Sequence, residues 1–205
     1  MKNCIVVFAG LLVLTSSLHA QQQKGMIYSF YTGFSKPASP ADFQKSWRSG
    51  YFLGAGLGKP IASRLQAHLY LDYSNFALDD RNYMQSRELI SAETVIEGGM
   101  ASITALFVDV KLLYPTPRLS KVTPYLVAGG GWFHLYHEEI TVFSGAGDSR
   151  IAGFSEDAFG AGFGFGFNVF VEGITSLFAE VRFNVGLTED ETTVVLPIKL
   201  GFSIH

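Results

Sequence analysis

The chain has 205 residues, with 15 Lys and Arg against 18 Asp and Glu for a formal net charge of −3, and 48% of it is hydrophobic, including 18 Phe and 9 Tyr. That mild negative balance argues against a nucleic-acid surface, and the single cysteine, Cys4, excludes an internal disulfide. Past the N-terminal segment no apolar run reaches the roughly 18 residues of a membrane helix, because Asp109, Lys111 and many glycines interrupt every candidate.

Residues 1–20 read as a separate object. Lys2 is followed by the apolar run Ile5 to Leu14, a serine pair and Ala20 ahead of three glutamines, which is the order of a secretory signal peptide. Leu18 is larger than the small residue usual three positions before the cut. Removal of this segment takes Cys4 with it, so residues 21–205 are expected to form one thiol-free domain without thiolate metal ligands.

The remaining chain alternates with period two rather than 3.6. Residues 26–34 make a first strand, and 48–58 set Tyr51, Leu53, Ala55 and Leu57 opposite Phe52, Gly54, Gly56 and Gly58. Residues 64–76 place Leu65, Ala67, Leu69, Leu71 and Tyr73 against Arg64, Gln66, His68, Tyr70 and Asp72. Residues 101–114 oppose Leu106, Val108, Val110 and Leu112 to Ala105, Phe107, Asp109 and Lys111, and residues 122–138 alternate in the same way.

The segment 157–171 contains FGAGFGFGFNVFV, with Gly160, Gly162, Gly164 and Gly166 on one face and Phe163, Phe165 and Phe167 on the other. Glycine weakens a strand, so four on one face indicate that bulky groups from elsewhere need the space. Residues 176–187 set Leu177, Ala179, Val181 and Phe183 against Phe178, Glu180 and Arg182, and 193–204 set Ile198, Leu200 and Phe202 against Pro197, Lys199 and Gly201. Pro197 lacks a ladder donor, which predicts a bulge.

These eight strands are joined alternately by short links (59–63, 115–121, 172–175) and long polar ones (35–47, 77–100, 139–156). The long links carry Asp79, Asp80, Arg81, Arg87, Glu88, Glu93, Glu97, Glu138, Glu139, Asp148, Arg150 and Glu156. Such asymmetry characterises an outer-membrane barrel with short turns on the periplasmic side. The fold class read from the sequence is therefore all-β, an eight-stranded antiparallel up-and-down transmembrane barrel.

One row of each strand is almost wholly apolar and the other holds the charges. A Lys or Arg facing lipid at mid-depth costs about 2–4 kcal/mol, so the apolar rows face lipid and the charged rows face the interior. An eight-stranded barrel is just wide enough for side chains to fill it. The expected lumen charge network comprises Arg64, His68, Asp72, Asp109, Lys111, Glu180, Arg182 and Lys199, with Tyr51, Tyr73, Tyr114, Tyr125 and Phe159 forming outward aromatic girdles.

Over nearly all of residues 24–205 the chain resembles the small eight-stranded outer-membrane barrels of the OmpA and OmpX type. The C-terminus KLGFSIH is similar to the assembly signal of such proteins. The resemblance implies that Lys199, Gly201 and Ile204 are read by the barrel-insertion machinery, although His205 stands where an aromatic residue is common. It also implies a bacterial outer-membrane location with outer-membrane lipid and lipopolysaccharide as surroundings.

Candidate chemistry is sparse. GAGLGK at 54–59 lacks the spacing of a phosphate loop, and Pro60 stands where Ser or Thr is required. In HLYHEE, His134 and His137 point to opposite faces of a strand and cannot share a metal; His134 is expected among the upper lumen residues. A membrane acyl hydrolase of the His-x-Ser kind is disfavoured because no such tripeptide occurs, and a lipocalin-like carrier because the interior rows are charged. The expectation is a non-enzymatic barrel with no catalytic residue, metal or cofactor, acting as an envelope component or a scaffold for surface loops. A lipid A-modifying enzyme or a soluble carrier stands as the alternative.

Overall fold

The computed structural model describes residues 25–87, 94–115, 121–143, 148–172, 174–189 and 191–205. The expected signal peptide, residues 1–20, lies outside these, as do Glu88 and Glu93.

Eight long strands close on themselves: β1 (Ile27–Ser39), β2 (Gly50–Ala62), β3 (Leu65–Phe76), β5 (Ala101–Leu113), β6 (Val122–His137), β9 (Phe154–Glu172), β10 (Thr175–Leu187) and β11 (Thr193–Ile204). Their order around the barrel is β1-β11-β10-β9-β6-β5-β3-β2, with every neighbouring pair antiparallel. Each strand thus pairs with those before and after it among the eight, and β1 meets β11 to remove the sheet edges that would otherwise invite association.

The side-chain period fixes what each face meets. Outward rows are exposed and apolar: Leu69 and Leu71 on β3, Val108 and Val110 on β5, Phe163 and Phe165 on β9, Ile198 and Leu200 on β11. Inward rows are buried and polar, with Asp109 and Arg182 at 0% and 1% exposure and Phe163 and Phe165 at 62% and 63%. A protein that buries arginine and exposes phenylalanine in contiguous bands has its apolar solvent on the outside.

The ends of the barrel differ. On the side of both termini, β2 and β3 are joined through Ser63 and Arg64 alone. On the other side the described parts of the connections carry further elements. Helix α1 (Ala41–Ser46) follows β1, helix α2 (Asp80–Ser86) follows β3, and β4 (Val95–Gly98), β7 (Ile140–Phe143) and β8 (Ser149–Ile151) form a separate three-stranded sheet. Leu78, Tyr83, Ile140 and Val142 make its small core, and the Trp47 indole N–H donates to the Gly99 carbonyl at 2.8 Å. Gly98 and Gly99 adopt φ of 85° and 83°, the left-handed region glycine tolerates, to turn the chain from β4 into β5.

Three expectations need correction. Arg64 lies in the exposed two-residue turn rather than in the lumen, because β3 begins one residue after it. Tyr125 faces inward at 1% exposure, since β6 carries its phase through to Phe133 and Leu135 without a break. Pro197 causes no bulge: pairing with β10 lapses between Val181–Ile198 and Asn184–Val195 and resumes in unchanged register. The missing proline donor is absorbed as a gap in the ladder.

Candidate functional site

The glycine row of β9 makes room for large lumen groups. A Cβ at Gly160 would stand 2.8 Å from the Phe107 ring, at Gly162 2.5 Å from Asn184 Oδ1, at Gly164 2.9 Å from Arg182 Cγ and at Gly166 2.6 Å from the Tyr125 hydroxyl. The inward glycines of β2 do the same for Tyr31, Tyr70 and His68. Side chains from the facing strands therefore reach the barrel axis, where a Cβ row would have blocked them.

At that axis the charges meet. Arg182 Nη1 lies 2.7 Å from Asp109 Oδ2 and its Nε 3.7 Å from Glu180 Oε1. Lys199 Nζ lies 3.0 Å from Asp72 Oδ2 and 3.6 Å from Glu180 Oε1. The Tyr31 hydroxyl donates to Asp72 at 2.5 Å and the Tyr125 hydroxyl to Glu180 at 3.0 Å. Lys111 stands apart, its ammonium 4.0 Å from the centre of the Tyr125 ring and 5.5 Å from that of Phe178. His68 bonds Gln66 Oε1 at 3.0 Å and stacks on Tyr70.

Seven of the eight residues expected in the network thus line one buried lumen. Three carboxylates, Asp72, Asp109 and Glu180, face three cations, Lys111, Arg182 and Lys199. A buried charge is tolerable only with partners: Arg182 and Lys199 find theirs in the three carboxylates, and Lys111 in the faces of the Tyr125 and Phe178 rings. Tyr31, Tyr70 and Tyr125 complete the network; the sequence reading set Tyr70 on the charged face without counting it in the network, left Tyr31 unplaced and put Tyr125 outside, although the uninterrupted alternation of β6 was a signal for its inward phase.

Above the charges the lumen turns apolar. Phe76, Ile103, Phe107, Phe133, Leu135 and Val195 fill it, and Phe43 of α1 closes the mouth with its ring 5.2 Å from that of Phe76. Beside α1 a cavity of about 420 Å³ opens between Trp47, His137, Phe154 and Glu156. Of the C-terminal residues, Lys199 points into the lumen, Gly201 underlies Tyr31 and Phe178, and Ile204 faces outward.

The outer surface is apolar up to Trp132 and Phe159, which pair across β6 and β9. Tyr51, Tyr73, Tyr114 and Phe159 lie on this face near strand ends, and Tyr51 packs against Tyr73. Contrary to expectation, His134 is outside the barrel, because it shares the outward phase of Trp132 and Tyr136. Its Nδ1 is 2.8 Å from Asp157 Oδ1, which also accepts from the Trp132 indole N–H at 2.9 Å. Among the described residues no three His, Cys, Asp or Glu side chains are grouped to hold a metal.

No protein-family model matches the chain, and no curated relative matches by sequence. Among solved structures it is similar to Neisserial surface protein A, with 17% identity over 90% of this chain and 99% of that one and a TM-score of 0.55. It is also similar to the N-terminal β-barrel domain of Pseudomonas aeruginosa OprF, with 14% identity over 89% of this chain and all of that one at TM-score 0.47. A third, Ail, the attachment invasion locus protein of Yersinia pestis, has 9% identity over 89% of this chain and 100% of that one, at TM-score 0.49. The likeness to Neisserial surface protein A is one of fold, and the fold here is a small closed barrel of eight antiparallel strands.

Proposed function

We propose that the chain is exported by residues 1–20 and that residues 21–205 form an outer-membrane barrel whose lumen is filled by side chains. Its main role is that of an envelope component or surface scaffold, carried by the folded cap of α1, α2 and the β4-β7-β8 sheet. The observation that carries this reading is the inversion of polarity, with phenylalanine and leucine outside and paired charges inside. Function of such a barrel is expected in its surface connections, and here Tyr83, Ile140 and Val142 from those connections pack with Trp47 and Leu78. Outer-membrane lipid and lipopolysaccharide are the partners this surface fits. Lys199, Gly201 and Ile204 are the residues we assign to recognition by the barrel-insertion machinery.

The test is electrophoretic mobility of the folded protein with and without heating, combined with planar-bilayer conductance. The expected result is a faster unheated band and no steady aqueous conductance, since only much larger barrels leave an open channel. A chain that stays in solution without detergent, or that conducts like a porin, overturns the reading.

A further inference from the structure

The outward cluster on β6 and β9 contains one group that a girdle hydrogen bond does not need. Ser155 lies two residues before Asp157 on the same outward row of β9, and its Oγ is 3.5 Å from His134 Nε2. His134 and Asp157 are direct cross-strand partners, as are Tyr136 and Ser155. Serine, imidazole and carboxylate are therefore strung in one line across two strands.

Proton placement follows from the partners. A carboxylate only accepts, so Nδ1 of His134 carries the hydrogen bonded to Asp157. In the neutral ring Nε2 is then a bare acceptor, and the Ser155 hydroxyl donates to it. This is the tautomer a general base needs, with the carboxylate holding the ring and the Trp132 N–H holding the carboxylate. The 3.5 Å separation is at the long end of a hydrogen bond, as is common before substrate binds.

The location selects the substrate. The continuous apolar row ends at Trp132 and Phe159, and the triad begins two residues further along each strand toward the cap. Two residues advance about 6–7 Å along a strand, less along the membrane normal for a tilted one, which falls within the interfacial layer outside the hydrocarbon. Lipid ester bonds lie at that depth, with their acyl chains against the apolar wall below. This step rests on the membrane orientation proposed above.

We propose that Ser155, His134 and Asp157 form a hydrolytic site on the outer wall of the barrel, acting on fatty-acyl esters of the surrounding lipid. Ser155 Oγ attacks the acyl carbonyl carbon while His134 Nε2 takes the hydroxyl proton. Collapse of the tetrahedral intermediate breaks the ester C–O bond, and His134 returns the proton to the departing alkoxide. A water then gives its proton to His134 and its oxygen to the acyl carbon. The fatty acid leaves and Ser155 recovers its proton. This adds an activity to a chain expected to be non-enzymatic.

The experiment uses the full mature barrel in detergent, with unheated gel mobility recorded for each variant so that loss of fold is distinguished from loss of chemistry. A fluorophosphonate probe is expected to label Ser155, as located by mass spectrometry, and Ser155→Ala and His134→Gln to lose the label while keeping the mobility shift. Hydrolysis of a p-nitrophenyl fatty-acyl ester is expected to fall roughly 100-fold or more in Ser155→Ala, the scale of base-assisted catalysis. Fatty acid released from vesicles of lipopolysaccharide or of phosphatidylethanolamine tells which lipid supplies the ester. A correctly folded barrel that takes no label at Ser155, or whose ester hydrolysis is unchanged in Ser155→Ala, overturns the proposal.

Discussion

Among the described residues Arg182 makes the shortest ion pair of the lumen. It is 1% exposed and is the cation bonded to Asp109 at 2.7 Å. Replacing it with Met leaves Asp109 without its counter-charge, a change that costs about 3–5 kcal/mol when a buried pair is broken. Urea unfolding of the vesicle-inserted barrel should read that loss, and Arg182→Met combined with Asp109→Asn should regain most of it. Gly56→Val tests the other half of the arrangement, because a Cβ there would stand 2.3 Å from the Tyr70 ring. Overpacking of this kind costs roughly 1–3 kcal/mol, whereas Ala55→Val, one residue away and outward, should cost nothing measurable. Most of the lumen set was legible in the sequence because charge on one face of an alternating strand has one place to go. Arg64 was not, since a turn and a strand end look alike in a period-two pattern. The outer triad was illegible for a different reason: Ser155 and His134 are 21 residues apart, and only the register of β6 on β9 makes them neighbours.

At the scale of elements, the strands and the cap answer to different forces. Leu71 sits mid-strand on the outward face of β3 at 52% exposure. Leu71→Arg should lower stability in a bilayer by about 2–4 kcal/mol. The cap is held by smaller terms. Asp79 caps α2 by accepting from the Asn82 N–H at 3.3 Å and pairs with Arg48 at 3.2 Å. The Arg48 hydrogen bond, then that of Asn82, holds its carboxyl below the ordinary value of 3.8. A lowered folded pKa contributes stability that is complete above the ordinary carboxylate range and is lost as pH falls through the folded value. Acid titration below about pH 4 should therefore loosen the cap, read by Trp47 emission in a Trp132→Phe background. Asp79→Asn should remove that pH dependence. With Arg48 61% exposed, the pair is worth at most about 1 kcal/mol. The helices and the small sheet could not be read from the sequence. Elements of three to seven residues present too little periodicity, and their stability comes from Trp47, Leu78 and Ile140 meeting across three separate connections.

At the scale of the whole molecule, eight strands, closure and inverted polarity were all legible, because each is a sum of many alternating positions and survives an error at any one of them. The phase of a single residue such as Tyr125 has no such redundancy. Inverted polarity is the central claim, and its direct measurement uses residues 21–205, which contain no cysteine. Single cysteines at Leu71, Val108 and Phe163 would carry a fluorophore in the protein folded into vesicles, with Arg48→Cys as the exposed reference. Quenching by brominated lipid at all three wall positions and not at 48, with the three thiols closed to a water-soluble maleimide, is the expected result. Rapid maleimide labelling of the wall positions, matching that at 48 and without lipid quenching, would contradict it.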